Sequence, residues 1–60
     1  MKLDRNNQFV TLDGKALGVY AYRAKNGRYQ YKMQSGTILA SGMSPAAFVK
    51  QFWGRDDFIE

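Results

Sequence analysis

The sequence predicts an α+β fold in which an antiparallel sheet of three to four strands is packed on one face by a single C-terminal α-helix, in the order β-β-β-β-α. Three observations lead there. Runs of β-branched and aromatic residues are punctuated by the turn dipeptides Asp13-Gly14, Asn26-Gly27 and Ser35-Gly36. After Gly42 the apolar repeat lengthens from two residues to 3.6. The 60 residues, 45% hydrophobic with 15% aromatic, suit one small folded core and not a disordered chain.

The first strand is read from Gln8 to Leu12, "QFVTL", and runs into Asp13-Gly14. A second extends from about Lys15 to Lys25, and Asn26-Gly27 turns it into a third from Arg28 to Gln34. Ser35-Gly36 then leads into a fourth from Thr37 to Ser41. Ser44 is a helix cap, Pro45 suits the first helical position, and Gly54 suits the position just past the end. Between them Phe48, Val49, Phe52 and Trp53 fall on one side of a helix too short to stand alone in water, so it must lie on the sheet. The chain forms one domain, 1-60, with 1-7 and 55-60 expected as flexible flanks.

Register decides what each sheet face carries. With Asn26 and Gly27 as the two central residues of a type I′ turn, Lys25 pairs with Arg28, Tyr22 with Tyr31 and Tyr20 with Met33. One face then holds Tyr20, Tyr22, Ala24, Tyr29, Tyr31 and Met33 beneath the helix, joined by Ile38 and Ala40. The other holds Arg23, Lys25, Arg28, Gln30, Lys32 and Gln34, and must face outward because like charges do not share a core. The same alternation sends Val10, Leu12, Leu17, Val19 and Leu39 outward. Either a bulge near Gly18 turns some of them inward, or they form an apolar patch through which a homodimer assembles, by Val10, Leu17, Val19 and Leu39.

Charge distribution sharpens the expectation. No carboxylate lies between Asp13 and Asp56, whereas Lys15, Arg23, Lys25, Arg28, Lys32, Lys50 and Arg55 all do. Cations that lack anions nearby in the chain face water or an anionic partner. With no cysteine and no histidine, disulfides are excluded and zinc loses its usual ligands. Carboxylates confined to the ends leave no acid–base pair, so neither an enzyme nor a cofactor or metal site is expected. No apolar run approaches the roughly 18 residues of a membrane span, and "MKLDRNNQ" has no signal-peptide core. A cytoplasmic protein without a membrane partner is expected.

Arg and Lys interspersed with Gln match duplex DNA: cations neutralise phosphates, Arg pairs with guanine edges and Gln with adenine edges. The candidate contacts are Arg23, Lys25, Arg28, Gln30, Lys32 and Gln34. Two further readings accompany this one. An acidic protein partner fits the same charge, and a small phage-type protein-binding inhibitor or adaptor would act through the basic or the apolar sheet face. Tyrosines on an exposed sheet would instead stack on single-stranded nucleic acid.

The segment from Tyr20 to Trp53, "YAYRAKNGRYQYKMQSGTILASGMSPAAFVKQFW", resembles the three-stranded-sheet-plus-helix DNA-binding domains of phage and transposon integrases, and the plant ethylene-response-factor domains. The likeness rests on an Asn-Gly-aromatic-x-aromatic-basic strand at Asn26 to Lys32, on Gly36 after a short turn, and on a small-residue strand leading through Ser44 into the helix. It implies an exposed sheet face in the major groove, with Arg23, Arg28, Gln30 and Lys32 toward the bases and Lys25 near the phosphates. It also implies an accessory or regulatory role in a phage or mobile element. The strand "TILAS" departs from that pattern in having no basic residue.

Overall fold

A computed structural model describes residues 1–59. It is an open antiparallel sheet plus one C-terminal helix, an α+β arrangement. Five strands follow one another in space as in sequence: β1 (Lys2–Leu3), β2 (Gln8–Val10), β3 (Ala16–Arg23), β4 (Tyr29–Met33) and β5 (Ile38–Ser41), then α1 (Pro45–Trp53). β1 lies in the segment expected to be flexible, and it raises the strand count above three to four. No helix among the described residues is long and apolar enough to cross a membrane.

One turn geometry makes all four hairpins. In Asp4–Gln8, Thr11–Lys15, Ala24–Arg28 and Met33–Thr37, the first residue's N–H donates to the fifth carbonyl and the fourth N–H donates to the first, at 2.7 to 3.0 Å. Each loop therefore has three residues, and the last takes a left-handed conformation: Asn7 at φ 62°, Gly14 at 90°, Gly27 at 82° and Gly36 at 96°. This is the type I turn closed by a bulge residue. A polar side chain fastens several of them. Asp4 Oδ1 accepts from the N–H groups of Asn6 and Gln8, and Asn26 Oδ1 accepts from that of Arg28.

That third loop residue corrects the expected register. A type I′ turn would need positive φ at both Asn26 and Gly27, and Asn7 is the one non-glycine residue with positive φ among the described residues. Lys25 thus joins the loop, and Val19 pairs with Met33, Tyr20 with Lys32, Ala21 with Tyr31, Tyr22 with Gln30 and Arg23 with Tyr29. A one-residue slip exchanges every side chain of a strand between faces. Tyr20, Tyr22 and Ala24, expected beneath the helix, stand outward instead. Val19, Ala21 and Arg23 turn to the helix side.

The slip also removes the expected apolar patch. The β2–β3 register is irregular around Gly18, at φ 76°, where Gln8 pairs with Tyr20 and Val10 with Ala16. Yet it is the β3–β4 turn that carries Leu17 and Val19 inward, since both share the parity of Ala21. Val19 is 4% exposed, and Leu17 and Leu39 pack half-buried on the core. Val10 is buried outside the core cluster. Of the four residues expected to form a homodimer surface, Val10 and Val19 are thus buried and Leu17 and Leu39 half-buried. On β5, Lys32 pairs with Ile38 and Tyr31 with Ala40, so Leu39 is the extra residue of a bulge. Ile38, expected inside, is 58% exposed, and Leu39, expected outside, joins the core.

The core forms around Phe9, fully buried, whose ring lies 5.3 to 6.0 Å from those of Tyr31, Phe48, Trp53 and Phe58. Tyr31 stacks on Phe48 at 4.1 Å and donates its hydroxyl to the Met43 carbonyl at 2.7 Å. Each such side chain contributes on the order of 1.5–3 kcal/mol relative to exposure. Helix α1 forms as its caps dictate: Ser44 Oγ accepts from Ala47 N–H, and Gly54, left-handed at φ 68°, returns its N–H to the Val49 carbonyl. Phe48 and Val49 are buried and Trp53 is half-buried, but Phe52 is exposed, stacked on the outer side of Phe48. The two ends, expected as flexible flanks, meet as far as residue 59, residue 60 lying outside the described residues: Met1 is buried, its α-amino group donates to the Asp57 carbonyl, and Ile59 N–H donates to the Met1 carbonyl.

Candidate nucleic-acid interface

With α1 and the tail on one side, the other side of the sheet is open. Strand β4 sets its character. Gln30 and Lys32 on β4, with Arg28 just before it, alternate with Tyr29, Tyr31 and Met33, so all three project outward, two residues apart; Met33, expected beneath the helix, turns to that side but is exposed. Next to them, outward from β3, stand Tyr20 and Tyr22, and from β5 Ile38 and Ser41.

Contacts within this face are specific. The Lys32 ammonium lies 5.1 Å from the centroid of the Tyr22 ring, within the range of a cation–π attraction. Gln8 on β2 donates through Nε2 to the Tyr20 hydroxyl at 3.0 Å and accepts the Gly18 N–H at 3.3 Å, which braces Tyr20 against its neighbour strand. Tyr22 has no such brace and is 48% exposed. Gln30 pairs directly with Tyr22 across the two strands, on the same face.

The electrostatics are one-sided. No described strand or helix carries a carboxylate: Asp4 and Asp13 lie in turns, and Asp56 and Asp57 in the tail. The described ion pairs use Lys50 with Asp56, and Arg55 and the α-amino group with Asp57. The Arg55 guanidinium holds the Asp57 carboxyl below its ordinary pKa, and Asp57 in turn raises that of Arg55. Among the described residues nothing anionic pairs with Arg28 or Lys32.

Of the six residues the sequence assigns to this site, the structure brings Arg28, Gln30 and Lys32 together on one face. Lys25 sits in the β3–β4 loop at one end of that strand pair and Gln34 in the β4–β5 loop at the other, both exposed. Arg23 does not belong: it points to the helix side, where its guanidinium carbon lies 5.9 Å over the Tyr29 ring. The sequence register places Tyr20 and Tyr22 beneath the helix, with an exposed stacking surface as the rival reading, and the structure turns both outward. The signal that marks them is the run of Leu17, Val19 and Ala21, whose shared parity is satisfied inside only if Tyr20 and Tyr22, of the opposite parity, face out.

A cleft of about 520 Å³ opens elsewhere, between the start of α1, Leu3, Tyr29 and Phe58. Among the described residues Lys2 is its one charged lining residue, and these residues bring no set of converging polar groups to a small ligand. The molecule is defined as a small α+β sheet protein with a helix-backed core and an open cationic, aromatic face. No family model, no curated protein and no solved structure matches the chain.

Proposed function

We propose that this protein binds nucleic acid on the outward face of its sheet, with Arg28 and Lys32 neutralising phosphates and Gln30 between them hydrogen-bonding base edges or sugar. The observation that carries this is the alignment of Arg28, Gln30 and Lys32 on one strand face with no carboxylate among the described strands. Cations gathered without internal partners repel one another, and a polyanion relieves that repulsion while releasing its counterions. Lys25 and Gln34, at the two ends of β4, extend the contact along a bound strand. Lacking an acid–base constellation on this face, the protein acts by binding, in an accessory or regulatory role.

Fluorescence anisotropy with labelled duplex DNA and labelled single strands at about 50 mM salt tests this. Binding that weakens steeply as salt rises, and that falls at least tenfold in the Arg28→Ala/Lys32→Ala double variant, is the expected result. Failure of the wild-type chain to bind any of these at low salt overturns the proposal.

A further inference from the structure

We infer that the preferred ligand of this face is a single-stranded polynucleotide, with bases stacking on Tyr22 and, beside it, Tyr20. The inference rests on the nucleic-acid reading above and specifies the form of ligand.

Two independent features lead to it. The first is the width of the sheet. Five strands at about 4.8 Å spacing extend roughly 19 Å across, while the major groove of duplex DNA is about 12 Å wide and admits a helix or a two-stranded ribbon. β4, which carries the cations, is an interior strand with β3 on one side and β5 on the other. It cannot reach a groove floor without its neighbours, and the outward residues of β5, Ile38 and Ser41, bring no charge to phosphates. A single strand has no groove to enter and lies flat on such a surface.

The second feature is the exposed aromatic ring. Tyr22 projects from the central strand with half its surface open, in line with Arg28, Gln30 and Lys32 one strand away. Duplex bases are already stacked on each other and offer no face to it, whereas an unpaired base does. Tyr20 and Tyr22 are two residues apart, about 7 Å along the strand, or about twice the 3.4 Å rise of stacked bases. An extended single strand, its bases unstacked from one another, spans that distance with successive bases, one to each ring. Lys32, paired with Tyr20 and leaning over Tyr22, brings a cation to the phosphate beside a stacked base. Gln30 brings an amide to its edge.

The test compares anisotropy of a labelled 12-mer oligo(dT) strand, the same length of oligo(U), and the oligo(dT) strand annealed to its complement. Tighter binding of either single strand than of duplex, with Tyr22→Ala losing roughly fivefold or more and Tyr22→Phe retaining affinity, is the expected outcome. Agreement between the two single strands means the surface reads base faces; preference for oligo(U) adds a contact to the 2′-hydroxyl. Duplex bound as tightly as single strand, with Tyr22→Ala unchanged and Arg28→Ala/Lys32→Ala defective, overturns the inference and leaves nucleic-acid binding standing. No binding to any of the three overturns both. Circular dichroism on Tyr22→Ala separates a lost contact from a lost fold, and Tyr22→Phe keeps the test decisive if the alanine variant is unstable.

Discussion

Lys32 holds its ammonium 5.1 Å from the centre of the Tyr22 ring, across the β3–β4 pair and on the side of the sheet away from the helix. The contact orients a cation and an aromatic surface toward the same solvent. Its energy at an exposed site is on the order of 0.5–1 kcal/mol, too little to explain why a sheet would leave a ring so open. The pair makes sense as a prearranged surface.

Salt dependence distinguishes the outward cations from Arg23. If Arg28 and Lys32 each neutralise one phosphate, as proposed, Arg28→Ala and Lys32→Ala are each expected to lower the slope of log K against log salt by about 0.7–0.9. Arg23→Ala, on the opposite face, is expected to leave the slope unchanged. Equal effects from all three in a salt titration would mean that the two sides of the sheet are not separated as the pairing requires.

The three-residue β3–β4 loop is tested by shortening it. Deleting Lys25 leaves Asn26-Gly27 between Ala24 and Arg28, a two-residue loop of the composition type I′ favours, with every cross-strand pair preserved. The variant is expected to melt cooperatively within about 1 kcal/mol of the parent. Were Lys25 paired with Arg28, the same deletion would exchange the faces of β3 and unfold the protein. Gly27→Ala is expected to cost about 1–2 kcal/mol from its left-handed backbone alone, because no atom lies within 4 Å of where its Cβ would stand. Urea denaturation reads both.

The helix and the class of the fold were legible because their signals are local. Ser44, Pro45 and Gly54 each act within one turn of α1, and all three occupy the positions their chemistry favours. The site was legible only in part. Asn26-Gly27 is compatible with a two-residue loop and with a three-residue loop ending in glycine, and the choice lies in long-range packing: whether Val19 and Ala21 or Tyr20 and Tyr22 lie against Tyr31 and Phe48. The small and branched side chains win the inner face, where Tyr31, Phe9 and Phe48 already fill the space. Arg28, Gln30 and Lys32 survived because they lie on β4 or just before it, and the alternation along one extended segment does not depend on register. Arg23 did not, because its face is set across the turn. β1 and the tail carry too few residues for any periodic signal, and what orders them is contact between the two ends.

Phe9 is where the fold is most exposed to a single change. Its ring meets four others from β4, α1 and the tail. Phe9→Ala is expected to cost about 3–5 kcal/mol, against a total of roughly 3–9 kcal/mol for a domain of this size. Phe52→Ala, half-exposed on the rim, is expected to cost about 1 kcal/mol. Thermal melts by circular dichroism should show the first largely unfolded at 37 °C and the second folded.

Tyr31 makes stability depend on alkaline pH. Its hydroxyl is enclosed by the core and donates to the Met43 carbonyl, and burial raises its pKa well above the ordinary tyrosine value of about 10. The folded chain therefore keeps this proton at a pH where the unfolded chain has lost it. Between the two pKa values the unfolded state binds fewer protons, so folding stability falls as pH rises, by about 1.4 kcal/mol per pH unit. Below pH 10 this contribution is fully present. Tyr31→Phe gives up the hydrogen bond, about 1 kcal/mol, and is expected to be the less stable form at pH 8. Having no proton to lose, it escapes the alkaline penalty, while lysines and the other tyrosines affect both proteins alike. Urea midpoints at pH 8, 10 and 11 should thus show the gap closing and then reversing. A gap that stays constant to pH 11 would mean that the Tyr31 phenol ionises in the folded protein as easily as in water.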